Sequence, residues 1–220
     1  MNRSGVMRWL VGGGRKRRLF LLAGAVGLAA AVAGGFWLEE HLERQVGRYA
    51  EVVPGVLYRS MQPRGGQWDV LHQRGIRTVI NLRSAWEDPR AFAGEERHAR
   101  AFGMRLVNLP ISEDLPDVER VAQFIREVRA GPAPVLVHCQ YGRSRTGHML
   151  AAYLVLEQGW SPQRAIAYIC DTKASLDEGK LPRLQSMLED FALHREEWLR
   201  RVTEGPWPST DAASCPADPP

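Results

Sequence analysis

The sequence predicts an α/β domain in which helices layer onto a central sheet, carried behind one N-terminal membrane-spanning helix. Three observations predict it. Short apolar, β-branched runs alternate with segments of helical periodicity from residue 52 to about residue 200; a cysteine-bearing loop stands between one such run and a strongly apolar helix; and residues 19–38 hold no charged or amide side chain. A length of 220 residues, with 45% hydrophobic and 25% charged side chains, fits one globular domain of modest size.

The 20 apolar residues from Leu19 to Leu38 reach about 30 Å as a helix, the thickness of bilayer hydrocarbon. Arg15-Lys16-Arg17-Arg18 precede the run and Glu39-Glu40-His41 follow it, so the cations predict an N-terminus in the cytoplasm and the bulk of the chain outside. Phe36 and Trp37 fall at the far interface. The competing reading is a signal sequence cleaved near Ala31-Val32-Ala33, which would leave a secreted or periplasmic protein. The charge balance follows the same division. Residues 1–38 hold six cations and no acid, which leaves 23 basic against 25 acidic side chains in the remainder. The pI of 9.2 is therefore a property of the N-terminus, and a nucleic-acid-binding surface on the folded domain is excluded as a reading. Three cysteines, Cys139, Cys170 and Cys215, are too few for a disulfide scaffold and too scattered for a zinc site.

The elements follow in order. Residues 39–50 are charged and roughly helical, a stalk. Val52-Val53 and Val56-Leu57-Tyr58-Arg59 flank a Pro54-Gly55 turn and predict two strands. An amphipathic piece over Gln67 to Gln73 ends at Gly75, and Ile76 to Leu82 is a buried-strand run. A helix is expected from Glu95 to Phe102, stopped by Gly103, then a strand from Met104 to Leu109 ended by Pro110. Val118, Val121, Ala122, Ile125 and Val128 recur at helical spacing behind Asp117, a predicted N-cap. Pro134 to Val137 is a further strand, followed by helices over Thr146 to Gln158 and Pro162 to Cys170, the latter capped by Ser161. Leu184, Met187, Leu188, Phe191, Trp198 and Leu199 mark one last amphipathic helix, and Cys170 is expected in the core. The domain accordingly spans 51–202, between a basic N-terminus (1–18), the anchor (19–38) and the stalk (39–50) on one side and a Pro-rich tail (203–220) whose composition predicts disorder on the other.

The passage that carries chemistry is His138-Cys139-Gln140-Tyr141-Gly142-Arg143-Ser144-Arg145-Thr146-Gly147, set between a strand and an apolar helix. A strand-to-helix loop can turn successive N–H groups toward one point, and the helix start adds the positive end of its dipole, which together make an anion site. Gly142 gives the turn its conformational freedom. Arg145, six residues after the cysteine, can return to the same point and grip two phosphate oxygens through its planar fork. The same field favours a thiolate, so Cys139 is expected to be a nucleophile at neutral pH.

The pattern His-Cys-x5-Arg-Thr-Gly resembles the signature of the cysteine-dependent protein tyrosine phosphatases, in their compact dual-specificity branch, and the resemblance covers roughly residues 51–200. Val56-Leu57-Tyr58-Arg59-Ser60-Met61-Gln62-Pro63 and Thr78-Val79-Ile80-Asn81-Leu82-Arg83 are similar to segments of a small bacterial group of that branch, often with one N-terminal membrane span. The resemblance implies a central mixed sheet flanked by helices, with the Cys-x5-Arg loop binding phosphate. It also implies a two-step phosphomonoester hydrolysis through a phosphocysteine, with no metal or other cofactor. Cys139 would attack phosphorus, and Arg145 with the loop residues Gln140, Tyr141, Gly142, Arg143 and Ser144 would hold the equatorial oxygens. Thr146 would steady the leaving thiolate, and His138 would order the loop and tune the thiol.

The family places its general acid on a loop upstream of the Cys strand, here Pro110-Ile111-Ser112-Glu113-Asp114-Leu115-Pro116-Asp117. Asp114 is preferred, since Asp117 is accounted for as a helix cap and Glu113 is the longer, less usual acid. Arg143 sits where phosphoinositide-type relatives carry a second cation, and the alternative for it is a solvent-facing or carbonyl-capping arginine. Phosphorylated proteins, lipids and glycans are all reachable substrates for a tethered domain outside the cytoplasm. Two other functional readings accompany the phosphatase: a catalytically weak phosphate- or phospholipid-binding relative, and a rhodanese-like sulfurtransferase.

Overall fold

In the computed structural model the described residues are 45–111, 115–171 and 179–204, with four isolated positions (21, 24, 25 and 27) in the N-terminal segment. The chain divides into two units, Met1–Gln45 and Val46–Pro220. Among the described residues no helix is long and apolar enough to cross a membrane, and the expected span at 19–38 falls outside them but for those four positions.

The second unit is built on five strands, β1 (Ala50–Val53), β2 (Leu57–Ser60), β3 (Thr78–Asn81), β4 (Arg105–Asn108) and β5 (Val135–His138), in the spatial order β1-β2-β5-β3-β4. Only the β1–β2 hairpin is antiparallel, so the sheet is mixed, as the family resemblance implies. The helices are α1 (Gln67–Gln73), α2 (Pro89–Ala101), α3 (Val118–Ala130), α4 (Ser144–Leu156), α5 (Pro162–Asp171), α6 (Leu181–Leu193) and α7 (Arg195–Glu204). Alternation along the strands sorts them into two layers. Val135, Val137 and Ile80 join the core formed with α3 to α7, whereas Leu136 and Val79 turn to the opposite face and pack with Trp68 and Leu71 of α1 and Ala99 of α2.

Helix α4 is the central one, with every residue from Arg145 to Leu156 buried, which is why its sequence from Met149 to Leu156 is apolar all round and shows no polar face. Helix α3 buries Val121, Ala122, Phe124, Ile125 and Val128 along one stripe, and the Asp117 side chain caps it by accepting from the Arg120 N–H at 2.7 Å, as expected.

Four sequence expectations are corrected. The helix expected from Glu95 begins at Pro89, where Asp88 accepts from the Ala91 N–H at 3.1 Å and Pro89 takes the first turn. The last amphipathic helix is two: His194, at φ −110° and ψ 30°, leaves helical geometry between α6 and α7, and with no Gly or Pro there the apolar periodicity runs through the break. Cys170 is exposed, not core; Ala165 and Ile169 form the buried stripe of α5, and the next residue is turned about 100° away from it. Finally, packing onto the domain begins at Val46, ahead of residue 51. Val46 is buried beside Trp68, and the Gly47 carbonyl accepts from the Met61 N–H at 2.7 Å, so residues 46–49 form a turn against the domain where the sequence suggested a helical stalk.

Candidate active site

The three adjacent parallel strands β2, β5 and β3 end in register, with Ser60 opposite His138 and His138 opposite Asn81. The loops after all three therefore leave the sheet at one place, the carboxyl edge where open α/β sheets form their ligand crevices. The loop after β5 carries Cys139 and runs into the N-terminus of α4; the loop after β3 carries Arg83 and a 3₁₀ turn at Ala85–Glu87; the loop after β2 carries Met61 and Gln62.

Cys139 and Arg145 meet at one cavity of about 250 Å³, lined also by Gln140, Tyr141, Arg143, Ser144 and Lys180. Both are recessed, at 4% and 5% exposed, while Tyr141 stands out at the rim. Among the described residues the lining holds three cations, Arg143, Arg145 and Lys180. Gly142 has φ +61°, and a Cβ there would strike the Ser60 carbonyl, 2.7 Å from its carbon, so only glycine fits between β2 and the loop. The start of α4 lies at this cavity, where a helix offers backbone donors and the positive end of its dipole to an anion. Of the residues expected on this loop, Cys139, Gln140, Tyr141, Arg143, Ser144 and Arg145 are brought together at the cavity, and Gly142 packs behind them against Ser60. Thr146 is fully buried, and its Oγ1 has no hydrogen-bond partner among the described residues. Asp114 and Glu113 lie outside the described residues, and Asp117 is occupied as the cap of α3.

Glu87 is the functional side chain that sequence reasoning missed. Its carboxylate takes both arms of the Arg145 guanidinium, Nη1 at 2.6 Å and Nη2 at 2.9 Å, and also accepts from the Ser84 N–H at 2.9 Å and Arg83 Nε at 3.2 Å. The hydrogen bonds from Arg145 are the largest cause holding this carboxyl down at about 2, against the opposing effect of burial. The guanidinium is thereby fixed in a plane before any ligand arrives, with part of its donor set spent on orientation. The signal was present as Ser84-x-x-Glu87, the spacing of a capping box, directly after a strand whose neighbours end beside it.

His138 is fully buried, with Nδ1 3.2 Å from the Cys139 carbonyl and Nε2 3.5 Å from Glu95 Oε2. Glu95, itself 2% exposed, accepts from Gln62 Nε2 at 2.6 Å and Asn81 Nδ2 at 2.9 Å. The Gln62 Oε1 in turn accepts from Arg83 Nη1, which closes a buried polar path from His138 to the Glu87–Arg145 pair.

A buried thiol and an arginine meeting at one cation-lined strand-to-helix loop is the arrangement that the resemblance to the compact cysteine phosphatases implies. The family model described as DSP-PTPase phosphatase fused to NAD+ kinase matches residues 44–186, and the chain belongs to this family of dual-specificity-phosphatase-like proteins. Among its relatives is the dual specificity protein phosphatase TpbA of Pseudomonas aeruginosa (strain UCBPP-PA14), 33% identical over 112 residues, which are 50% of this chain and 48% of that one. The match thus spans about half the length of TpbA. A phosphatidylglycerophosphatase and protein-tyrosine phosphatase 1 of Rattus norvegicus is 37% identical over 153 residues, 67% of this chain and 77% of the rat protein. In three dimensions the chain is similar to the crystal structure of P. aeruginosa TpbA in complex with pTyr, at 26% identity and a TM-score of 0.52, covering 68% of this chain and 90% of that one.

Proposed function

We propose that the protein hydrolyses phosphomonoesters through a phosphocysteine. The single observation that carries the reading is the convergence of Cys139 and a carboxylate-fixed Arg145 on one cavity floored by a helix N-terminus. The Cys139 sulfur attacks phosphorus, forming a P–S bond as the P–O ester bond breaks, and the leaving oxygen takes a proton from the upstream acid, for which Asp114 is the candidate. Water then attacks the phosphocysteine, the P–S bond breaks, and inorganic phosphate and the thiolate are released. Loop N–H groups and Arg145 are directed at the equatorial oxygens throughout, so they stabilise developing charge without reorganising. The buried Thr146 hydroxyl, without a hydrogen-bond partner among the described residues, supports a role for it in receiving the departing thiolate.

The cations Arg143 and Lys180 at the pocket support substrates that carry further negative charge next to the phosphomonoester. The phosphotyrosine bound by TpbA and the lipid phosphatase activity in the name of the rat relative support aryl and lipid phosphates as the two classes to try first. The apolar run 19–38 supports a single-pass anchor with this domain outside the cytoplasm.

The test is turnover of para-nitrophenyl phosphate in the presence of a chelator, abolished by Cys139→Ser; activity retained in that variant removes the reading. Asp114→Asn should lower kcat about 10²–10⁴-fold with a poor leaving group and far less with an activated aryl phosphate. Equal losses on both would assign the proton elsewhere.

A further inference from the structure

Arg59, near the end of β2, is 1% exposed, and no step described so far uses it. Fully buried arginines are rare and are kept for what their donors hold. One arm of this guanidinium, Nη2, donates to the carbonyl oxygen of Gly142 in the phosphate loop. Three residues on, the Gln62 N–H donates to the carbonyl of Gln140 at 3.2 Å. A trans peptide is planar with its C=O and N–H pointing opposite ways. Tying the carbonyls of residues 140 and 142 back toward β2 therefore turns the N–H groups of Tyr141 and Arg143 away from β2, and those two residues line the cavity above Cys139.

We infer that Arg59 is a positioning residue of the phosphate loop: it fixes the peptide between Gly142 and Arg143 so that the Arg143 N–H faces the bound phosphoryl group. The inference rests on the phosphatase reading of the site. Register makes Arg59 available, because it pairs with Val137 two residues before the thiol and its neighbour Ser60 meets Gly142 at a separation that only glycine allows. Burial is the main cause that pushes the guanidinium below the usual arginine range, and Cys139 is among the groups it couples to, so the cation also lies within electrostatic reach of the sulfur. A lysine at the same place would offer a point charge with rotatable donors in place of a rigid fork.

The experiment measures tungstate affinity by calorimetry, and kcat on para-nitrophenyl phosphate, for the full-length protein carrying Arg59→Met, Arg59→Lys or Phe124→Leu. The last is a core change in α3, outside the cavity lining, and serves as the stability control. Loss of one pre-aimed donor predicts that Arg59→Met lowers both tungstate affinity and kcat about 10²-fold, with Arg59→Lys recovering part of each, while Phe124→Leu lowers the unfolding temperature only. Should Arg59→Met not fold, the lysine variant carries the test, with an expected loss of roughly tenfold in tungstate affinity. Wild-type affinity in whichever Arg59 variant folds, or a loss no larger than in Phe124→Leu, overturns the inference. Wild-type protein that neither binds tungstate nor turns over substrate overturns the phosphatase reading itself, and the positioning role falls with it.

Discussion

Glu87 is where a single side chain has the largest leverage on Arg145. Replacing it by Gln keeps the shape and removes the charge, so two charge-assisted hydrogen bonds at 2.6 and 2.9 Å become weak or lost. Hydrogen bonds to charged groups contribute about 1.5–3 kcal/mol, which predicts a loss of roughly 10–100-fold in kcat/KM for Glu87→Gln. Stability should follow the same residue. A carboxyl held at about 2 when folded, against 4.5 unperturbed, contributes stability that is full above about pH 4.5 and is lost as pH falls toward 2. Acid unfolding followed by circular dichroism should be shallower over that window in Glu87→Gln, and an unchanged profile would detach the carboxylate from the fold. At this scale the sequence was informative about the nucleophilic loop because chemistry there is written in consecutive residues. Cys139, Arg145 and four of the five residues between them line one cavity because they belong to one continuous stretch of chain. Glu87, Arg59 and Glu95 reach the site from other strands or helices; the capping-box spacing marks Glu87 as a local cap only, and nothing in the spacing announces the contacts these residues make across the sheet.

Among the elements, α3 and α4 bear most on holding the loop, since α4 begins at the loop itself and α3 packs against it. Phe124 of α3 is fully buried and meets Tyr153 of α4 edge-on at 5.9 Å between ring centroids. Phe124→Ala should destabilise by about 3–5 kcal/mol, a fall in Tm of roughly 10 °C or more, read by calorimetry. Activity per folded molecule should be nearly unchanged, because Phe124 is not among the residues that line the cavity. A fall below about 1 kcal/mol would mean that this pair is not part of a close-packed interior. Elements with a strong period and a clear stop were legible: α3 with its Asp117 cap, α1 ending before Gly75, and the β1–β2 hairpin over Pro54-Gly55. The break at His194 was not, because the stripe through Phe191, Trp198 and Leu199 continues across it. The Trp198 Nε1 donation to Asp190 Oδ2 at 3.0 Å and the edge-on Phe191–Trp198 pair hold α7 against α6 through side chains, which backbone-breaking residues do not mark.

Across the whole molecule, the parallel core β2-β5-β3 explains why one edge of the sheet gathers the nucleophile, its arginine, the carboxylate that aims it and the buried arginine behind the loop. Helices on both faces bury those strands, so the site's charged groups sit on a rigid base, where small displacements are resisted and preorganisation persists. The proposed anchor adds a prediction for the full-length protein: it should partition into the detergent phase and remain in the membrane pellet after a carbonate wash. Recovery of a shortened chain in the aqueous phase would favour cleavage near Ala31-Val32-Ala33 instead.

The most direct measurement is a rapid acid quench during turnover of a phosphorus-labelled aryl phosphate, followed by peptide mapping. Label should be recovered on the peptide containing Cys139, rise in a burst, and be absent from Cys139→Ser. Steady turnover with no label on that peptide, or label on another residue, would contradict a covalent phosphocysteine and with it the proposed mechanism.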